Sequence, residues 1–511
     1  MLKVIPKILV IIVLILGLEN LLDCPPFALA DSGSILPYLE RAKENITEFT
    51  LENEIKFIVL KNSRAPVISF VTYVDVGAVN EPEGQTGIAH FLEHLAFKGT
   101  REIGTLDYEK EERLLKELDS LFEKIKQAKT ENDQEKVKKL EAKFEQINKQ
   151  AHELVKQNEF GQIVELEGGV GLNATTSADA TVYYYSFPAN KLELWMYLES
   201  ERFLHPVFRE FYEEKQVILE ERRLRVDNSP IGKLIEAFLD VAFTSHPYKR
   251  PVIGYQEDIS NLTRQNVQDF FEKYYGGKNI TIAIVGDVEA EEVKRLARKY
   301  FGRFPPGNKS TPPIVNEPPQ TSTREITIHY PSQPLYLEGY HIPDINNPDY
   351  VICELMGSIL ADGRTSRLYQ SMVEKQKIAL SVSAFAGFPG EKYPNLMVFY
   401  ATPTPNTPLA TLETSLHEEI KKLTEQLVSV EELTKVKTQA KASLLRTLDS
   451  NMGMARLLAK YEAITGDWRN LFLDLDKIPA VTPQDIQRVA RLIFTPENRI
   501  VARLLPPNPN P

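Results

Sequence analysis

The sequence predicts an α+β protein of two duplicated domains, each a mixed β-sheet with helices packed on it, and three observations carry that expectation. Thr263, Gln265, Val267, Gln268 and Asn279 are matched by Thr482, Gln484, Ile486, Gln487 and Asn498, each 219 residues further on. Each set leads from a helical pattern into an apolar strand, ITIAIV at 280–285 and RIVARLL at 499–505. Between the repeats, residues 305–324 (PPGNKSTPPIVNEPPQTSTR) are rich in Pro, Ser and Thr without apolar periodicity, the mark of a semi-rigid connector. The expected boundaries are a leader at 1–30, a first domain at 36–304, a linker at 305–324 and a second domain at 325–506. With 511 residues, 42% of them hydrophobic, there is material for more than one core.

The leader reads as a signal peptide. Lys3 and Lys7 supply positive charge, residues 8–18 an apolar stretch, and Ala28-Leu29-Ala30 an A-x-A cleavage site before Asp31. The apolar stretch is too short to span a bilayer comfortably, so cleavage and an extracytoplasmic mature chain, periplasmic or secreted, are expected. Left uncleaved, it would anchor the chain to the membrane. Cys24 would leave with the leader, and Cys353 would then stand alone without an internal disulfide. The net charge of −11, with no basic patch interleaved with aromatics, argues against nucleic acid as a partner and mildly favours cationic peptides through steering.

Within the first domain, His90-Phe91-Leu92-Glu93-His94 reads H-x-x-E-H. If 87–98 is helical, as Ile88, Phe91, Leu92 and Leu95 suggest, the two imidazoles are i,i+4 neighbours on one face. Glu93 can then reach a water at the metal without being a ligand itself. This is the inverzincin order, the reverse of H-E-x-x-H. With 8 His in the chain, such a pair with Glu between is a roughly one-in-a-hundred coincidence. A buried helix with two structural histidines is the bland alternative; zinc would need a third protein ligand.

Residues 108–157 carry Leu114, Leu118, Leu121, Ile125 and Ala128, then Val137, Leu140, Phe144, Ile147, Ala151 and Leu154, at spacings of three and four, interrupted by Thr130-Glu131-Asn132-Asp133. Two antiparallel helices in a coiled-coil hairpin are expected. A solvated hairpin closed on its own seam, a docking arm for a partner and a gate all fit that pattern. Next, Gly168, Gly169 and Gly171 allow close backbone approach and the run through Tyr183-Tyr184-Tyr185 reads as a strand, a simple glycine-rich hairpin being the plain alternative.

The third ligand is expected on a second helix. Residues 211–225 (FYEEKQVILEERRLR) place Glu214, Val217, Ile218, Glu221 and Leu224 along one face. Carboxylates on an apolar face are costly unless partnered. Glu213 and Glu220 have the same spacing on the neighbouring stripe, so periodicity leaves two pairs open.

The segments GIAHFLEHLAFKGT (87–100), GGVGLNATTSADATVYYY (168–185), EEKQVILEE (213–221) and AFTSHPYKRPVIG (242–254) together resemble the insulinase, pitrilysin and mitochondrial processing peptidase family of zinc proteases. The resemblance implies that His90, His94 and Glu221 are ligands of one Zn²⁺ per chain, that Glu93 is the general base and that Glu214 steadies the site from behind the ligands. It implies that Asn173 and Ala174 lie on a sheet edge where substrate adds as an extra strand. It implies that the two domains face each other around a chamber. The 127 residues from His94 to Glu221 exceed the family pattern, which makes 108–157 an insertion. The second half would ordinarily supply an Arg and a Tyr seven residues apart that grip the substrate. Alignment on SRLYQSMVEKQKIALSVSA (366–384) puts Val373 and Leu380 there instead, while Arg367 and Tyr369 fit packing positions. The histidines of this half, His329, His341 and His417, are scattered, and the counterpart of the first zinc helix at 348–361 has none.

The expected function is therefore an exported zinc metalloendopeptidase acting on peptides or small unfolded proteins, as the metal-bearing member of a heterodimer whose homologous, zinc-free partner supplies the Arg and Tyr. A self-sufficient zinc peptidase and a non-catalytic assembly or chaperone subunit of the same fold are the alternatives.

Overall fold

The structure, a computed structural model, describes residues 43–310, 315 and 317–507. The expected signal peptide at 1–30 lies outside the described residues, as do 311–314 and 316 of the linker. Eleven strands form two sheets. The first orders β1 (Ile46–Thr50), β2 (Lys56–Lys61), β3 (Val67–Val74), β4 (Val170–Thr176), β5 (Thr181–Pro188) and β6 (Ile280–Gly286) as β1-β2-β6-β3-β5-β4. The second orders β7 (Arg324–His329), β8 (Leu335–Ile342), β9 (Ala379–Phe388), β10 (Asn395–Pro403) and β11 (Arg499–Leu505) as β7-β11-β8-β10-β9. In each, one parallel pair (β2 with β6, β7 with β11) is followed by antiparallel neighbours, so the sheets share one topology apart from the extra β1.

Eleven helices matter to the argument: α1 (Ile88–Leu95), α2 (Tyr108–Thr130), α3 (Gln134–His152), α4 (Leu192–Leu204), α5 (Phe211–Arg222), α6 (Pro230–Ala242), α7 (Arg264–Tyr274), α8 (Tyr350–Ala361), α9 (Val430–Asp449), α10 (Asn451–Thr465) and α11 (Pro483–Ile493). The offset of 219 carries α7 onto α11 and β6 onto β11 residue for residue, and the start of α5 onto the start of α9. The matched residues repeat their bonds. Thr263 and Thr482 each open their helix with a capping box, and Asn279 and Asn498 each donate to the carbonyl five residues back, Tyr274 at 2.8 Å and Ile493 at 2.9 Å.

Each sheet is roofed by a helix from the other half. From the first half, α6 lays Leu234, Phe238 and Leu239 on the second sheet against Leu337, Val398, Ile500 and Leu504. From the second half, α10 lies across β3 and β6 of the first. At about 1.5–3 kcal/mol for each fully buried Leu, Ile, Val or Phe, exposing that one cluster would cost as much as the whole net stability of an ordinary domain, about 5–15 kcal/mol. Accordingly Asn45–Pro511 form a single unit. A polar junction adds to it: Asp179, in the β4–β5 turn, accepts the N–H groups of Glu391 (2.7 Å) and Lys392 (3.1 Å) and the Tyr248 hydroxyl (2.5 Å).

Helices α2 and α3 pack on each other through Leu115, Leu118, Leu121, Ile147 and Ala151, capped by Asp107 and Asp133. They are more than a hairpin closed on its own seam. Glu111 forms an ion pair with Arg209 at 2.7 Å with both side chains fully buried, Asp119 accepts the Tyr212 hydroxyl at 3.0 Å, and Asn148 donates to Glu213 at 2.6 Å. The root of the hairpin is thus built into the start of α5, because Arg209 needs a counter-charge where water does not reach.

That pair yields a stability test. Glu111→Ala, which strands the Arg209 guanidinium, is expected to lower unfolding free energy by about 3–5 kcal/mol. Glu117→Ala removes only the exposed pair with Lys143 (2.6 Å) and should change it by less than about 1 kcal/mol. Denaturant titration of both variants checks the contrast.

Candidate metal centre

Helix α1 starts abruptly. Its N-cap is Gly87 in the left-handed region (φ +87°), where an added Cβ would stand 2.6 Å from the Ile253 carbonyl oxygen. With no N-cap side chain available, Glu81 satisfies the helix start, its two oxygens accepting from Gly87 N (2.9 Å) and Ala89 N (3.0 Å). Burial pushes its carboxyl up to about 8. The helix ends at Leu95, three residues short of the 87–98 span the sequence suggests, where Ala96–Lys98 turn toward Gly99 (φ +100°).

The apolar side of α1, Ile88, Phe91, Leu92 and Leu95, faces the core, and Phe91 stacks on Phe211 of α5 at 4.7 Å. This leaves His90, Glu93 and His94 toward the sheet edge and α5. His90 Nε2 lies 3.8 Å and His94 Nε2 3.6 Å from the same oxygen of Glu221, and one atom from each of the three residues falls within 4.8 Å of the others. These separations are too long for hydrogen bonds. The 3.8 and 3.6 Å distances to Glu221 lie within about 0.5 Å of the roughly 3.3 Å that tetrahedral ligands at about 2.0–2.1 Å from an ion impose on each other, while the spread of up to 4.8 Å would have to tighten around it. Two imidazoles and a carboxylate are also the donor set that suits zinc. The residues therefore fit the metal.

The atoms facing away from that point are mostly held. His94 Nδ1 is 3.1 Å from Glu214, whose other oxygen meets Lys98 Nζ at 2.5 Å, and Lys98 continues to Glu210 at 2.9 Å. Glu221 gives its second oxygen to Arg225 at 2.8 Å. His90 Nδ1 is buried without a partner among the described residues. Burial and the neighbouring His94 hold His90 well below the ordinary imidazole range, which keeps it neutral. Burial also opposes charge on Glu214, but His94 and Lys98 outweigh it and keep that carboxyl below its usual value. Glu93 accepts from the Thr176 hydroxyl of β4 at 2.5 Å, and burial raises its carboxyl.

Two arginines clamp α5 to α1, one at each end. Arg209, just before α5, donates to the Lys98 (2.5 Å), Thr100 (2.6 Å) and Ile103 (3.0 Å) carbonyls of the loop leaving α1. Arg222, in its last turn, donates to the Gly254 carbonyl (2.7 Å) and Glu236 (2.9 Å). Gly254 in turn abuts Thr86 and Gly87, where a Cβ would meet the Thr86 carbonyl oxygen at 2.4 Å.

Of the two carboxylate pairs that periodicity left open on α5, Glu214 and Glu221 face the histidines. Glu213 bonds Asn148, and exposed Glu220 pairs with Arg223 at 2.7 Å. Asn173 is exposed on β4, the outer strand of its sheet, opposite Tyr184, and Ala174 is buried beside it. Glu81, Lys98 and Thr176 were not singled out by the sequence reading, although an acidic residue shortly before a helix with no capping side chain is a signal for the first. In the second half, the 219-residue offset sets Leu433 and Ala440 on α9 where Glu214 and Glu221 stand on α5. Arg367 is held by both oxygens of Glu432 at 2.7 and 2.8 Å. Val373 is half-buried and Leu380 exposed.

The family model "Insulinase (Peptidase family M16)" matches residues 57–134 and 144–256, and "Peptidase M16 inactive domain" matches 261–440. The zinc protease PqqE of Helicobacter pylori is 30% identical over 94% of this chain and 96% of its own length. A probable mitochondrial-processing peptidase subunit beta of Schizosaccharomyces pombe is 25% identical over 86% of this chain and 87% of its own. Among solved structures, a protease from Helicobacter pylori superposes with a TM-score of 0.76 at 27% identity, covering 90% of this chain and 99% of that one.

Because Glu214 touches His94 but none of the converging atoms, Glu214→Gln is expected to weaken zinc binding on the order of 10–100-fold without abolishing it. Glu220→Gln should leave zinc affinity unchanged. Competition against a chelating dye measures both; the reverse ranking would refute the assignment.

Proposed function

This chain belongs to the insulinase family of M16 peptidases, and from that membership we propose that it is an exported zinc-dependent metalloendopeptidase that hydrolyses peptides or small unfolded proteins. The observation that carries the reading is the convergence of His90, His94 and Glu221 on one point with Glu93 on the same helix. Relatives named zinc proteases support the metal. The leader pattern at 1–30 supports export, and among the described residues no helix is long and apolar enough to cross a membrane.

His90, His94 and Glu221 would hold a zinc ion, and Glu214, 3.1 Å from His94 Nδ1, fixes that ring with its Nε2 toward Glu221. A zinc ion bound by this donor set would supply Lewis acidity, making water easier to deprotonate and favouring negative charge on a scissile carbonyl oxygen. Glu93 takes the proton of the attacking water and returns it to the leaving amine nitrogen. Its burial suits that exchange, since a carboxyl raised toward neutrality can both accept and release a proton. The Thr176 hydroxyl holds Glu93 in place, and the outer edge of β4 around Asn173 and Ala174 receives the peptide backbone as an added strand.

The active form is a heterodimer. With Val373 and Leu380 at the expected Arg and Tyr positions and Arg367 committed to Glu432, those positions offer no free donor for the developing oxyanion. A homologous partner without the H-x-x-E-H sequence supplies them.

Glu93→Gln should retain about one zinc per chain, as measured by elemental analysis, and lose hydrolysis of an unfolded peptide. The purified wild-type chain should bind zinc yet cleave on the order of 10²–10³-fold more slowly than the pair with its partner. Full activity from the chain alone, at a concentration too low for self-association, would instead favour a self-sufficient protease.

A further inference from the structure

The helix that the second half lays over the first sheet brings a cation to β5, the strand beside the proposed peptide-receiving edge. Helix α10 is fixed at its start by Asn451, which accepts from Asn62 at 2.7 Å and donates to the Val67 carbonyl at 3.4 Å, and toward its end by Lys56–Glu462 at 2.6 Å. It covers β3 and β6 and reaches β5. From its exposed side the Arg456 guanidinium lies 4.1 Å from the centre of the Tyr184 ring.

Some stacked cations have bonding partners as well, Arg202 with Glu199, Lys215 with the Ser260 and Leu262 carbonyls and Arg469 with Glu48, whereas Arg101 over Tyr108, Lys233 over Tyr330 and Lys273 over Tyr274 have only a ring among the described residues. Among the described residues Arg456 has only the ring. Stacking fixes the plane of a guanidinium while leaving its N–H edge open, and that edge is a fork matched to a carboxylate.

The position gives the fork a role. Tyr184 is the register partner of Asn173 on β4, and Thr176, three residues further along β4, holds Glu93. Side chains alternate across the sheet, so Tyr184 and Asn173 look to the face opposite the buried Tyr183 and Tyr185. A peptide added to the edge of β4 would run from Glu93 past Asn173, roughly 10 Å along the strand at about 3.3 Å per residue, and Arg456 stands over β5, about 9.6 Å (two strand spacings) from such a peptide and on the sheet face opposite Thr176.

We propose that Arg456 is a specificity-determining residue that selects substrates carrying a carboxylate about three residues from the scissile bond; this rests on the peptidase reading above. The carboxylate is that of an acidic side chain or of the peptide C-terminus. The net charge of −11 does not oppose this, because long-range steering is screened beyond about 8 Å at physiological salt, whereas Arg456 acts at hydrogen-bond range.

The test uses the full zinc-loaded chain with Glu93→Gln to prevent turnover, and fluorescein-labelled unfolded 12-residue peptides (about 40 Å when extended, long enough to cover the strand). The peptides differ only in Glu or Gln at successive positions, each with a free or amidated C-terminus. Fluorescence anisotropy should show one Glu position, or the free C-terminus, binding on the order of tenfold tighter than its neutral match. Preference for Glu irrespective of amidation identifies a side chain; loss on amidation identifies the terminus. Arg456→Met, which keeps an apolar stem over Tyr184, should remove the difference, and Arg456→Glu should turn it toward a Lys peptide. Should Arg456→Met fail to fold, Arg456→Gln makes the same comparison. Equal affinity for charged and neutral peptides, or a preference that survives both neutral variants, overturns the assignment of Arg456. Absence of binding by every peptide overturns the reading that the β4 edge of this chain receives peptide, and the assignment of Arg456 with it.

Discussion

Three electron-rich side chains must be held within a few ångströms of one another by two helices that are 127 residues apart between His94 and Glu221, and the clamp between those helices is the constraint on which the site depends. Left to themselves, a carboxylate and two imidazoles beside buried Glu93 have no reason to gather, since each loses hydration there. Arg209 and Arg222 hold the two ends of α5 to the loop behind α1 and, through Gly254, to its start. Glu81 closes the α1 N-terminus with a buried carboxylate in place of a surface cap. The inserted hairpin belongs to this scaffold at its root, because Glu111 neutralises the same Arg209. Hydrogen bonds to charged groups in a dry interior are stronger and less yielding than those at the surface, so the framework keeps its geometry against the mutual cost of the groups it brings together.

The second half shows what duplication keeps and what it loses. The topology, the capping boxes at Thr263 and Thr482 and the paired Asn279 and Asn498 bonds persist because they serve folding of each sheet. The carboxylates do not: Leu433 and Ala440 stand at their places, and Leu433 is buried. A buried Leu stabilises the helix packing without needing a partner, whereas a carboxylate in the same place would require an ion or a cation opposite it. The second half contributes by roofing instead. Its α10 lies on the first sheet and α6 returns the exchange, so each sheet is covered by a helix from the other half.

The two halves are thereby coupled at the chemistry. The β4–β5 hairpin carries Thr176, which bonds Glu93, and ends at Asp179, whose carboxylate is held by backbone N–H groups of the second half. A shift of the Glu391–Lys392 loop would act on the turn of the same hairpin that carries Thr176 to Glu93. The burial of Asp179, which pushes its carboxyl above the ordinary range despite those donors, makes the junction dependent on keeping all of them.

Much of this was legible in the sequence, where the physics is periodic. Apolar spacing places His90 and His94 on one face of α1, marks the seam of α2 and α3, and the 219-residue self-match marks the repeat, because helix pitch and strand alternation are local properties of the chain. What periodicity cannot say is which neighbour a face meets. Glu213/Glu220 and Glu214/Glu221 are equivalent on a helical wheel, and only the packing of Phe211 on Phe91 and the two arginine clamps turn the second pair toward the histidines. The exchange of α6 and α10, the Glu111–Arg209 pair and the stacking of Arg456 on Tyr184 join residues 98 positions apart (Glu111 and Arg209), 272 (Tyr184 and Arg456) and 384 (Val67 and Asn451). Their interactions act over about 3–6 Å in space and leave no spacing in the chain, so the tertiary structure alone decided them.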